Sequence, residues 1–116
     1  MQTFIDAYIE CALWSSIGEN DEPLDDNYGP EDIAPETLKT MRADCEDFQV
    51  LCGDLIDSAD MEESQAGHDF WLTRNGHGAG FWDRGLGDVG EKLSEAAKVY
   101  GEFYLYIGDD GRIHGQ

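Results

Sequence analysis

From Leu38 to Leu55 the residues Leu38, Met41, Cys45, Phe48, Cys52 and Leu55 recur at alternating spacings of three and four. That rhythm follows one stripe of a helix. Pro35 suits its first turn, where a missing N–H costs nothing. At about 100° per residue, Glu36, Glu46, Asp47, Asp54 and Asp57 fall opposite the stripe. The chain is thereby committed to a long helix with a hydrophobic seam on one side and an acidic ridge on the other.

The ridge belongs to a wider imbalance. Eighteen of the 26 acidic residues lie within residues 1–64, where Lys39 and Arg42 are the opposing bases. The chain carries a net charge of −19 over 116 residues. A small domain needs a magnitude of only about 2–8 to stay dispersed, and like charges at close range oppose compaction. Solubility does not explain the excess. Such a surface is excluded as a site for nucleic acid or an anionic membrane, because affinity there comes from lysine and arginine. It steers toward basic surfaces instead, which in a cell belong mostly to proteins that bind DNA or RNA.

A hydrophobic content of 41%, with three tryptophans, five tyrosines and five phenylalanines, marks a folded chain despite the charge. One domain over residues 1–116 is expected, with an acidic helical part at 1–64 and a ββαββ part at 65–116. No apolar run approaches the roughly 18 residues of a membrane span. Met-Gln-Thr-Phe-Ile-Asp at the start lacks the basic region that opens a signal peptide, so the cytoplasm is the expected compartment. Cys11, Cys45 and Cys52 sit in apolar helical patterns without CxxC spacing and read as buried free thiols.

Residues 3–16 read as a first helix, with Thr3 and Asp6 spaced as a cap pair. Residues 19–32 form an acidic loop: Glu19, Asp21, Glu22, Asp25, Asp26, Glu31 and Asp32 stand without a base, broken by Pro23, Gly29 and Pro30. An EF-hand is excluded, since its alternating Asp positions and central glycine are absent. Beyond Gly67 the aromatic pairs Phe70-Trp71 and Phe81-Trp82 suggest two strands at 68–74 and 80–84, joined by a glycine-rich loop at 75–80. Asp88, with Glu91 three positions on, is expected to cap a third helix ending at Gly101. Two short strands, at 103–107 and 112–114, flank a Gly-Asp-Asp-Gly turn. The expected fold is α+β: two N-terminal helices, an antiparallel β-hairpin, a helix and a further pair of short strands.

Catalytic signatures are weak. Gly85-Leu-Gly-Asp-Val-Gly90 fits the dinucleotide fingerprint in form, but it lacks the parallel crossover that the motif serves and reads as a tight turn. His68, Asp69 and His77 offer ligands for a metal-dependent hydrolase, without the three or four donors in register of a good site. Trp71, Trp82, Tyr104 and Tyr106 with Arg74, Arg84 and Arg112 would make a stacking platform for single strands only on a far more basic surface. No catalytic residue, metal or cofactor is expected.

The stretch Gly67-His-Asp-Phe-Trp-Leu-Thr-Arg-Asn-Gly-His-Gly-Ala-Gly-Phe-Trp-Asp-Arg-Gly85 resembles a block that recurs in small acidic proteins encoded by bacteriophages and prophages. Leu24-Asp-Asp-Asn-Tyr and Asp32-Ile-Ala-Pro-Glu-Thr-Leu38 resemble the first half of the same proteins. The resemblance implies a mobile-element origin and a bacterial host cytoplasm, and it transfers no catalytic residue. Small phage proteins often disarm host defences, several of them as acidic mimics of duplex DNA. By that analogy the expected partner is a basic host protein that binds nucleic acid. The expected contacts are the acids of the 19–32 loop with Glu36, Glu46, Asp47, Asp54 and Asp57, and His77 at the loop tip. Two other readings follow from the same residues: the metal-dependent hydrolase, and an interaction protein whose aromatic hairpin is the interface.

Overall fold

Thr3 turns its hydroxyl back to accept the Asp6 N–H at 3.1 Å, and this cap starts α1 (Phe4–Ser15). In the computed structural model, which describes residues 3–17, 22–76 and 80–116, α1 buries Phe4, Ala7, Tyr8, Cys11, Ala12 and Leu13. That breadth means a helix covered on more than one side. Residues 22–34 then run through two single 3-10 turns, Leu24–Asp26 and Pro30–Asp32. Leu24 is buried and ties this loop to α1, its N–H donating to the Ser16 carbonyl at 2.9 Å.

Pro35 opens α2 (Pro35–Ser58), a helix of 24 residues. Met41, Cys45, Phe48 and Cys52 form its buried face, with Thr37 and Ile56 completing it at the ends. Leu38 and Leu55, the expected ends of the stripe, are only partly buried. The reason is geometric: a three-four repeat drifts by about 20° per heptad on a straight helix. At about 100° per residue Leu38 and Leu55 stand about 100° apart around the axis, one at each edge of the seam, so each is only partly covered.

Among the described residues the expected β-hairpin over residues 68–84 is absent, and the architecture is mostly helical rather than the α+β order anticipated. Residues 63–74 form α3 (Glu63–Arg74), and the second expected strand is a single 3-10 turn, Phe81–Asp83. Two causes account for this. Glu63 in the first turn complements the exposed N–H groups, followed by Gln65 and Ala66, which favour helix. From Ala66 onward α3 is buried on nearly every side, so no single stripe marks its period. Aromatic strand preference, a weak local tendency, yields to that packing. Phe70 stacks on Phe48 at 4.2 Å between ring centroids, while Trp71 meets Tyr8 edge-on at 5.3 Å.

Gly67 marks the closest approach of α1 and α3. A Cβ there would lie 2.1 Å from the Phe4 carbonyl oxygen. Thr73 accepts the Phe81 N–H and so folds the return segment onto α3. α4 (Asp88–Lys98) follows. Gly87, not Asp88, occupies its cap position, and Asp88 is the first helical residue without a side-chain cap bond. Leu93 and Ala97 face inward, and Gly90 sits against the Phe81 carbonyl.

The chain closes with β1 (Leu105–Ile107) and β2 (Ile113–Gly115), paired antiparallel with Tyr106 opposite His114. Ile113 is fully buried and its carbonyl accepts the Ala34 N–H at 2.8 Å. Gly115 donates its N–H to Thr37. The hairpin is thus clamped over the start of α2. His114 bonds Asp110 across the turn at 3.0 Å. The Arg112 N–H and His114 together hold the Asp110 carboxyl below its ordinary range.

Two glycines of opposite surroundings check this packing. Gly67→Ala should destabilise the protein by about 1–3 kcal/mol, the usual cost of overpacking. Gly53→Ala, on α2 with nothing within 4 Å of the new methyl, should stabilise it by about 0.5–1 kcal/mol. Chemical denaturation of the two variants measures both.

Candidate partner-binding surface

The acids that the sequence assigns to a partner divide by location. On α2, Glu36, Glu46, Asp47, Asp54 and Asp57 are all exposed, because the buried seam leaves them the outer side. Asp47 is engaged there, accepting the Tyr100 hydroxyl. In the loop, Glu22, Asp25, Asp26 and Glu31 are exposed as well. Glu22 accepts the Asn27 side-chain amide at 3.1 Å. Asp32 has a local structural task, since its carboxylate accepts the Gly29 N–H at 2.8 Å and closes the second 3-10 turn. Glu19, Asp21 and His77 lie outside the described residues.

The outer side of α2 is not uniformly anionic. Val50 and Leu51 are 88% and 67% exposed between Asp47 and Asp54. At about 1.5 Å of rise per residue, Asp47 and Asp54 stand roughly 10 Å apart along the axis, with an apolar step between. Lys39 and Arg42 on the same helix are exposed and form no ion pair among the described residues. The surface is acid–apolar–acid. On α1, Asp6 and Glu10 are exposed as well. Their spacing of four, present in the sequence, places them on one side of the helix.

Two arginines are engaged by carboxylates of the fold. Arg74, 5% exposed, donates to Asp44 at 2.8 Å and to the Tyr8 hydroxyl at 3.0 Å. It also reaches the carbonyls of Gly101 and Tyr100. Arg84 makes a two-pronged bond to Asp69, at 2.7 and 3.0 Å. Neither arginine is available to a stacking platform. Trp71 is buried with its indole N–H bonded to Ser15, whereas Trp82, Tyr104 and Tyr106 remain exposed. An interface built on an aromatic hairpin at 68–84 has no hairpin to stand on.

The hydrolase candidates are arranged for structure. Asp69 is completely buried on α3, and its oxygens are occupied by Arg84 and by the Gln65 amide at 3.0 Å. The His68 ring stands 3.8 Å from Asp69 and faces Trp14 across 6.2 Å. It opens on a shallow hollow of about 250 Å³ that includes Glu10, Ser64 and Arg84. Recruiting Asp69 to a metal would strip Arg84 of its partner. Among the described residues no group of three His, Cys, Asp or Glu side chains stands close enough to hold an ion.

The three thiols are buried. Desolvation, with help from the nearby Asp69 charge, pushes Cys11 up to about 12. Burial raises Cys45 and Cys52 as well. The thiolate is the reactive form, so these side chains stay neutral and inert through the physiological range.

No family model matches this chain, and neither curated proteins nor solved structures yield a match. No helix of the described residues is long and apolar enough to cross a membrane.

The contrast between inner and outer acids is measurable. Arg84→Ala leaves the buried Asp69 charge without its main partner and should cost about 3 kcal/mol. Asp54→Ala, on the outer side of α2, should change stability by no more than about 0.5 kcal/mol. Thiol labelling gives a separate check. At pH 8 the folded protein should resist an alkylating reagent that modifies the denatured chain promptly, because raised thiol pKa values keep the folded cysteines protonated.

Proposed function

We propose that this is a phage-encoded protein of the bacterial cytoplasm that binds a basic, nucleic-acid-binding host protein and blocks it by presenting a polyanionic surface. The observation that carries the reading is the contrast just described. The outer acids of α2 and most of the described acids of the preceding loop project into solvent with few bases nearby, while Arg74 and Arg84 are paired with Asp44 and the buried Asp69. A long-range negative field of this kind raises the rate of encounter with positive surfaces. Competition would be steric and electrostatic, without turnover.

The exposed Val50-Leu51 step refines the mechanism. A plain phosphate mimic needs no apolar contact, whereas tight protein interfaces place apolar anchors inside a charged rim. The acids would set the approach and orientation, and the Val50-Leu51 step would hold the docked partner.

Capture from host lysate at rising salt tests the reading. The retained protein should be one that binds nucleic acid, and added duplex DNA should release it. Binding should weaken steeply as salt screens the acids. Asp54→Lys with Asp57→Lys should slow association at least tenfold while preserving the fold, since basic residues near a helix C-terminus are favourable. A partner that neither salt nor DNA displaces, and that the double variant binds as well, would remove the acidic surface from the mechanism.

A further inference from the structure

A groove of about 380 Å³ lies between α1 and the two 3-10 turns. Its floor is apolar: Ile9 and Leu13 come from α1, and Tyr28 comes from the loop. Its rim is acidic, with Asp6 and Glu10 on α1 and Asp25 across the gap. Ile9 and Leu13 are nearly covered by their surroundings, so the floor is a firm surface. Tyr28 is partly exposed and packs against the core.

We propose that this groove receives one arginine side chain from the partner protein. The proposal rests on the partner reading above and names the contact it would make on α1. The volume sits near the lower end of the roughly 300–1,000 Å³ typical of small-molecule sites. That is too small for a helix or a folded segment, and ample for one long side chain. An apolar floor under an acidic rim matches a side chain with an aliphatic stem and a cationic head. Arginine fits better than lysine for two reasons. Its planar guanidinium stacks on an aromatic face such as Tyr28, and its fork bonds carboxylates in pairs. Asp6 and Asp25, one on each bank, have no ion-pair partner among the described residues. A second copy of this chain is a poor occupant, because two molecules of charge −19 repel.

The sequence separates these elements by some twenty residues, and the fold alone brings Asp6 and Asp25 to one opening. Leu24 does this by burying itself against α1 and fixing the loop beside it.

The test uses the full-length protein and two capped pentapeptides, Gly-Gly-Arg-Gly-Gly and its citrulline counterpart. Citrulline keeps the shape of arginine and loses the charge. Titration followed by amide and methyl NMR should shift the signals of Ile9, Leu13 and Tyr28. The citrulline peptide should bind roughly tenfold more weakly, as expected when charge-assisted bonds are lost. Asp6→Asn with Asp25→Asn should abolish the difference between the peptides while leaving the rest of the spectrum in place. Equal binding of both peptides would overturn the proposal, as would shifts confined to α2. So would a double variant that still prefers arginine. Because no host protein enters this titration, its outcome is independent of whether lysate capture succeeds.

Discussion

The guanidinium of Arg74 is the point through which the helices are tied together. It sits on the last turn of α3, bonds Tyr8 of α1 and Asp44 of α2, and reaches the two carbonyls that follow α4. The rings of Phe70, Tyr100 and Phe103 surround it at 5.4–5.7 Å. A charge this deeply placed is tolerated only when its donors are satisfied. Its bonds therefore constrain α1, α2 and the segment after α4 together. This matters in a chain whose surface charge works against compaction, because geometry is fixed from inside by groups that solvent screens little.

Asp69 and Arg84 repeat the device on the opposite side of α3. Together with Gly67, Thr73, Phe81 and Gly80 they account for most of the block from Gly67 to Gly85 in structural terms. Gly67 admits α1, Thr73 and Gly80 close the return turn, and Phe81 enters the aromatic core. That block, the most distinctive stretch of the sequence, builds the scaffold. The surface proposed to meet a partner lies elsewhere, on less distinctive residues.

This division explains what the sequence revealed. α1 and α2 were legible, because each has a face in solvent and a face in the core, so hydrophobicity varies along them with the helical period. The exposure of the α2 acids followed directly from the same pattern. α3 was not legible. With Phe70, Trp71 and Leu72 all buried in succession, a run of apolar residues carries no period, and Arg74 and Asp69 read as surface charges although they are interior. The groove was hidden for a different reason. Its walls come from a helix and an irregular loop, and only the burial of Leu24 sets them side by side.

The end of α2 has one more consequence. Its last turn holds no base, and Asp54, Asp57 and Asp60 cluster where the helix already exposes its carbonyls. Asp60 itself takes a left-handed conformation as the chain leaves the helix. Glu36, at the other end, lies beside the hairpin that carries Arg112 and His114. The two ends are about 36 Å apart, more than four Debye lengths at roughly 8 Å in physiological salt. Approach to the C-terminal end of α2 therefore meets carboxylates and helix carbonyls together, while the bases of the hairpin are screened from it by the intervening salt solution.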